Sequence, residues 1–308
     1  MTPSVSVIIP SYNSCRTILQ TLDSLALSRE SLLKEIIVAD SSDDGQTRRL
    51  LETYPSEKLR LVRLPEKTMP AAARNTGARE ASGDILAFID SDAYAAQDWL
   101  ENIRKAYEDG HRVGGGSIGL PPFQKRNGLA VAQYFLQFNQ HLPLGGRRTD
   151  NYVASCNLFC GKELFGLVKG FPEVRAAEDV LFGLKAGKKS PVLFDPSIQV
   201  YHIFREDMGA YLANQRMLGK YILVYRRAAL GRWIYRGVTP AALCPLFVIY
   251  KFLKLSVKVL KTARPGLLLP FFASLPLLLL GLIYWGAGFF NACFEKSHGE
   301  YDVIREYT

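Results

Sequence analysis

The run Ile85-Leu86-Ala87-Phe88-Ile89, closed by Asp90-Ser91-Asp92, constrains this chain more than any other stretch. An unbroken apolar run of strand length must be covered on both faces, as in a parallel sheet flanked by helices. The two carboxylates then stand at the C-terminal end of a buried strand, the edge at which open α/β sheets bind ligands. Alternate residues of an extended segment point the same way, so Asp90 and Asp92 can face one crevice with Ser91 turned from it. Paired hard oxygens suit Mg²⁺ or Mn²⁺, ions that share their remaining sites with a substrate's phosphates. An isolated Asp-x-Asp serves equally well as an Asx turn leading into the next helix. Its neighbours weigh for the first reading.

Those neighbours repeat one unit. Residues 4–10, 35–40 and 59–64 read as strands, and residues 17–27, 46–54 and 70–81 as helices, the first with Ile18, Leu22 and Leu25 at helical spacing. Alternation of this kind predicts an α/β, doubly wound sheet. The first strand-to-helix turn, Pro10-Ser11-Tyr12-Asn13-Ser14, has neither GxGxxG nor GxxxxGK[ST]. Without those glycines backbone N–H groups cannot close on a phosphate, which disfavours a dehydrogenase or a P-loop NTPase. A nucleotide held by carboxylates and a metal fits better. Further on, Asp98 is placed to cap the helix that begins at Trp99, and residues 113–118 read as a strand whose glycines let a ligand or another backbone come close. Tyr134, Phe135 and Phe138 read as core, and Arg147-Arg148 as candidates for phosphate contact.

Charge becomes informative when divided along the chain. Residues 1–200 carry a net +1, residues 201–264 a net +10 and residues 265–308 a net −2. The basic stretch adjoins a run without charge, residues 265–294, so a membrane surface rather than nucleic acid is the expected partner. That run exceeds the roughly 20 apolar residues that cross a bilayer, and it reads as a transmembrane helix, with Pro270, Pro276 and Gly281 allowing a bend or a late start. Lys251, Lys254, Lys258 and Lys261 fall on one stripe with Phe252, Ser256, Val259 and Leu260 opposite, the pattern of an interfacial helix on anionic lipid. Five scattered cysteines without a CxxC pair disfavour structural zinc and a disulfide framework and fit a reducing compartment. Residues 1–10 show no basic region followed by an apolar core, so no signal peptide is expected.

Four segments carry a family resemblance. Val-Ile-Ile-Pro-Ser-Tyr-Asn (7–13), Ile-Ile-Val-Ala-Asp-Ser-Ser-Asp-Asp-Gly (36–45), Ala-Arg-Asn-Thr-Gly (73–77) and Asp-Ser-Asp (90–92) together resemble family 2 glycosyltransferases of the inverting GT-A type. The resemblance extends to about residue 205 and implies a GT-A-type doubly wound mixed sheet. A nucleotide-sugar-binding Rossmann-like half (1–110) would precede an acceptor half (111–205), followed by a basic amphipathic helical region (206–264), the transmembrane helix (265–294) and a polar tail (295–308). It implies a nucleoside diphosphate sugar donor contacted by Pro10, Tyr12, Asp40, Arg74 and Asp90, and a divalent metal (Mn²⁺ or Mg²⁺) on Asp92, with His202 as a further ligand. Asp179, in the Glu178-Asp179 pair, matches the family's general base; alone, the pair also suits an acidic first helical turn.

Processive polysaccharide synthases of the family carry Gln-x-x-Arg-Trp after the base, and Gln215-Arg216-Met217-Leu218-Gly219 lacks that spacing and the tryptophan. The expectation is therefore transfer of a single sugar to a polyprenyl-linked or other glycan acceptor. The enzyme would sit at the cell inner membrane with its catalytic domain in the cytoplasm. The alternative is a membrane-anchored nucleotide-sugar-binding scaffold without turnover.

Overall fold

The computed structural model describes residues 2–27, 32–230, 235, 238–262, 265–295 and 304. Strands β1 (Val5–Ser11), β2 (Leu33–Asp40), β3 (Leu59–Arg63) and β4 (Ile85–Ile89) are parallel and lie side by side in the order β3-β2-β1-β4. Helices α1 (Ile18–Ala26), α2 (Gly45–Thr53) and α3 (Pro70–Glu80) connect them. Val5, Val7, Ile8 and Ile9 on β1 and every residue of β4 are fully buried, because helices cover both faces of the sheet. On α1 the buried positions include Ile18, Leu22 and Leu25, the spacing read from the sequence. From β1 the chain steps outward to β2 and β3, then returns to the other side of β1 as β4. That reversal opens a crevice at the carboxyl ends of β1 and β4.

The sheet continues through β5 (Ala93–Ala95), α4 (Trp99–Glu108), β6 (Val113–Gly119), α5 (Gly128–Phe138), β7 (Arg148–Asp150), β8 (Asn157–Gly161), α6 (Lys162–Leu167), α7 (Glu178–Gly187) and β9 (Val192–His202). Its full order is β3-β2-β1-β4-β8-β6-β9-β5, with β7 also on β9, and antiparallel pairs make it mixed. The glycines of β6 serve strand packing. A Cβ at Gly115 would lie 2.0 Å from the Asn157 carbonyl oxygen, and one at Gly116 2.0 Å from that of Ile198. Asp98 precedes α4 without a side-chain capping bond; its backbone (φ −95°, ψ 12°) is not the extended form that aims a capping carboxylate at the first turn. Phe88, Phe165, Phe171 and Phe182 pack ring to ring, Phe171 and Phe182 at 4.7 Å, and so fix α7 against the sheet.

The chain divides into two compact units. The first comprises Met1–Gly119, Gly145–Glu173 and Glu178–His202; the second comprises Leu120–Leu144, Val174–Ala177 and Ile203–Thr308. Helix α5 belongs to the second unit. It buries Ala130, Val131, Tyr134, Phe135 and Leu136, and a helix apolar on so many sides needs other helices around it.

Those helices are α8 (Met208–Leu230), α9 (Thr239–Thr262), α10 (Pro265–Ala273) and α11 (Leu275–Ala292). The apolar run is built as two helices parted at Ser274, a break of the kind its prolines allow. Pro276 stands in the first turn of α11, where its missing N–H and its restriction of the preceding residue start a helix rather than continue one. By length and composition α11 is apolar enough to cross a membrane. On α9 packing separates an inward from an outward face. Val259 and Leu255 are buried in the helical core, whereas Leu246, Ile249, Tyr250, Leu253, Val257 and Leu260 stand exposed. Lysines at 3- and 4-residue spacing share a face with whatever lies between them, so the charged stripe alone did not say which neighbouring face turned inward. Of the tail 295–308, Glu295 and Ile304 are described.

Candidate active site

The register of β5 against β9 builds the first part of the site. Ala93 pairs with His202, which brings Asp92, the preceding residue, beside the imidazole: His202 Nε2 is 3.5 Å from Asp92 Oδ1. Asp90, at the end of β4, completes a cluster in which one ligand atom from each residue lies within 4.8 Å of the others. Two carboxylates and an imidazole form a donor set suited to a divalent ion such as Mn²⁺. The carboxylate pair Asp90 and Asp92 thus meets His202 in one cluster.

Arg74, on α3, is turned into the protein. Its side chain is 3% exposed, and its guanidinium forks between two carboxylates: Nη2 donates to Asp90 Oδ1 at 2.5 Å and Nη1 to Glu178 Oε1 at 3.1 Å. The Ser155 hydroxyl also donates to Glu178 Oε1, at 3.4 Å. Arg74 therefore ties the end of β4 to the start of α7, and its Nε has no hydrogen-bond partner among the described residues.

Asp179, half-buried in the first turn of α7, accepts a hydrogen bond from the Val180 N–H at 2.8 Å through Oδ1. Loss of solvation and the adjacent Glu178 charge push its pKa up to about 7. A carboxylate poised near neutrality suits a general base. The residue before the helix, Ala177, holds φ at 69°, a left-handed backbone that alanine rarely adopts. Cys156, buried close enough to feel Asp90 and Arg74, is kept a thiol: burial pushes its pKa well up.

The ends of β1 and β2 form the other wall. Tyr12 donates to Asp43 Oδ2 at 3.0 Å, and Lys67 Nζ stands 4.4 Å from the centroid of its ring. Asn13, with φ 50°, knits the two strand ends: its Oδ1 accepts from the Asp43 and Asp44 N–H groups, and its Nδ2 donates to Asp43. Asp40 is fully buried, held by the Ser42 hydroxyl at 2.6 Å and Arg63 Nη1 at 3.2 Å. Pro10 lies inside β1 opposite Ala39 and past the last β1–β4 pair, Ile8 with Phe88, so it shapes the strand end through its backbone. Arg147 and Arg148 answer to local acids: Arg147 bonds Asp195 and Asp109, and Arg148 bonds Asp150 and stacks on Phe194.

Sequence reasoning singled out neither Glu178, Ser155 nor Lys67 as site residues. Glu178 could have been read from its place beside Asp179; Ser155 and Lys67 arrive through loops and carry no local signal.

Residues 6–144 match the sequence model of Glycosyl transferase family 2. This chain carries a family 2 glycosyltransferase domain. It is similar to glycosyltransferase AglE of Haloferax volcanii, 29% identical over 174 residues that cover 55% of this chain and 56% of that protein. The chain spans about half the length of the curated relatives it matches. The mannosyltransferase PcManGT from Pyrobaculum calidifontis, solved with GDP-Man and Mn²⁺, has a TM-score of 0.61 at 21% identity, over 94% of this chain and 87% of that one. S. aureus TarS 1–349, solved with UDP-GlcNAc, has a TM-score of 0.54 at 20% identity, over 98% and 90%. At these identities the likeness is one of fold: the glycosyltransferase domain is built on a GT-A-like mixed α/β sheet.

Proposed function

We propose that this protein moves a single sugar from a nucleoside diphosphate sugar to an acceptor hydroxyl, with Asp179 as general base. The observation that carries the reading is the Arg74 fork, which sets Asp90 of the cation cluster and Glu178 beside Asp179 on one guanidinium. A divalent cation held by Asp90, Asp92 and His202 would neutralise charge gathering on the departing diphosphate. Mn²⁺ and nucleotide sugars in the structural neighbours support that use.

The remaining work falls to this chain's own side chains. Tyr12, held at its hydroxyl by Asp43, offers a ring beside which a base can stack, and Asp40 at the end of β2 is the acceptor for the base or ribose. Rotation of Arg63, whose side chain is 33% exposed, would free one oxygen of Asp40 for that bond. The unpartnered Nε–H of Arg74 is a donor left for an oxygen of the donor sugar or its phosphates. Asp179 takes the proton of the acceptor hydroxyl as that oxygen attacks the anomeric carbon, and the carbon–oxygen bond to the diphosphate breaks on the opposite side. The stereochemical outcome is inversion.

The apolar α11 and the exposed apolar face of α9 support membrane association, with the catalytic unit on the cytoplasmic side where nucleotide sugars are made. A lipid-linked acceptor in cell-surface glycan assembly follows from proximity. The test uses purified protein with Mn²⁺ and a panel of radiolabelled nucleotide sugars, scoring both slow donor hydrolysis and transfer into butanol-soluble lipid. Activity abolished by Asp179→Asn, with donor binding retained, supports the assignment. Donor binding without hydrolysis or transfer under any condition would instead mark a binding scaffold.

A further inference from the structure

In the helical unit two half-buried cations lie against aromatic rings and have no acidic partner among the described residues. Arg226, on α8, has its guanidinium carbon 5.4 Å from the ring centroid of Tyr235 and 5.9 Å from that of Phe247. Lys251, on α9, has its Nζ 4.3 Å from the centroid of Trp285. The rings form a continuous ladder: Tyr235 to Phe247 at 5.8 Å, Phe247 to Phe289 at 5.3 Å, and Phe289 to Trp285 at 5.6 Å. Arg226 lies against the Tyr235 and Phe247 rings and Lys251 against that of Trp285.

Other cations nearby are already satisfied. Arg227 donates to the carbonyls of Tyr235, Ala292 and Cys293, and Lys220 pairs with Glu295. Aromatic faces hold a cation without neutralising it. Burial, and after it the charge of Arg226, draws the Lys251 pKa down to about 7. Alongside, on the same helix as Phe247 and Lys251, Leu246, Ile249, Tyr250 and Leu253 are exposed, as are Ile283 and Tyr284 beside Trp285 on α11. A ligand that answers both features must carry a compact anion at one end and hydrocarbon at the other. The planar fork of arginine beside the point charge of lysine suits phosphate oxygens.

We propose that Arg226 and Lys251 bind the phosphate group of an amphiphilic phosphate ester whose hydrocarbon lies along the exposed face of α9. Two sources share this chemistry, a phospholipid headgroup and a polyprenyl phosphate that carries the acceptor. The inference deepens the proposed membrane association and lipid acceptor, and it does not depend on turnover.

The experiment uses the full chain in neutral detergent and reads tryptophan emission, since Trp285 is part of the ladder. Farnesyl phosphate, farnesol and inorganic phosphate are titrated separately, and vesicles of phosphatidylglycerol are compared with vesicles of phosphatidylcholine. Farnesyl phosphate is expected to bind about tenfold tighter than farnesol or inorganic phosphate, and Arg226→Gln/Lys251→Gln to lose about tenfold of that affinity. The charge-retaining pair Arg226→Lys/Lys251→Arg should stay within about threefold of wild type. Charge-dependent binding of farnesyl phosphate alone supports a carrier-lipid site, and charge-dependent binding of phosphatidylglycerol as well supports a general lipid-phosphate site. Equal affinity for farnesol, no loss in the neutral pair, or equal loss in the charge-retaining pair overturns the proposal. Nucleotide-sugar binding, measured in parallel by thermal shift, reports on the transferase reading separately: its failure would leave the phosphate result standing, and the reverse.

Discussion

Arg74 Nη1 lies 3.1 Å from Glu178 Oε1, a bond between residues 104 positions apart in the chain. With the second arm on Asp90, the guanidinium is the mechanical link between the cation cluster and the helix that presents Asp179. Removing it leaves two carboxylates facing each other with no cation between them. Arg74→Ala is expected to cost about 3–5 kcal/mol of stability, and Arg74→Lys to recover only part, because one ammonium cannot serve both acids in fork geometry. Urea unfolding of these variants, and of Arg74→Ala combined with Asp90→Asn, checks this. The second change should restore some stability by removing one of the stranded charges.

Asp179 carries a pH prediction with a definite sign. Its pKa is raised from 3.8 to about 7, so the base is protonated at pH 6 and free at pH 8. Activity should climb through that interval. Glu178→Gln removes the adjacent negative charge and should move the rising limb to lower pH, whereas a purely structural role for Glu178 would lower activity without shifting the limb. Linkage gives a second readout. Between pH 4 and 7 the folded chain holds a proton that the unfolded chain has released, so this group's contribution to stability falls as pH rises. Asp179→Asn should therefore melt higher than wild type at pH 8, with the difference shrinking towards pH 4.

The cation cluster predicts that Mn²⁺ raises the melting temperature and that chelation abolishes transfer. His202→Ala and Asp92→Asn should each weaken Mn²⁺ by about 10–100-fold, the scale on which loss of a supporting ligand is felt. Isothermal titration with Mn²⁺ in the absence of donor measures this directly. Unchanged affinity in both variants would remove them from the metal site.

Much of the fold was legible because its signals are local. Ile85–Ile89 and Val5–Ser11 are apolar strands whose ends carry polar turns, and a helix of matching period follows β1. Asp90 and Asp92 could be paired from two-residue spacing alone. Their meeting with His202 could not, since it depends on β5 and β9 pairing across more than 100 residues, and the signal for that register is spread along both strands. The assignment of α5 to the helical unit was hidden for a similar reason: its aromatics announce burial but not the partner that buries them. The lysines of α9 show the limit of periodicity. It predicts which residues share a face, and only packing decides that Lys251 turns onto Trp285 while Leu253 turns outward.

Ala177 stores backbone strain two residues before Asp179, at the start of the helix that presents it. At φ 69° a Cβ costs on the order of 1–2 kcal/mol, which glycine does not incur. Ala177→Gly should be neutral or stabilising by up to about 1 kcal/mol once the extra freedom of glycine in the unfolded chain is subtracted, and Ala177→Val should destabilise by about 1–2 kcal/mol. If the strain also aims Asp179, the glycine variant will lose kcat while gaining stability. Denaturant unfolding and steady-state kinetics on the same preparations separate the two effects.

The contact between α8 and α11 makes the last prediction. A Cβ at Gly288 would stand 1.9 Å from the Arg216 carbonyl oxygen, and one at Gly219 the same distance from that of Trp285. Both obstacles are backbone atoms, so no rotamer change relieves them; the helices must part along their whole crossing. Gly288→Ala should therefore destabilise the helical unit by about 1–3 kcal/mol despite adding a single methyl group. Gly266→Ala in the first turn of α10, where nothing lies within 4 Å of the new Cβ, should be neutral or stabilise by a few tenths of the roughly 1 kcal/mol that glycine costs in a helix interior. Thermal melts of the two variants in the same detergent test the contrast. Equal melting temperatures would mean that the α8–α11 crossing is looser than the backbone approach at Gly288 requires.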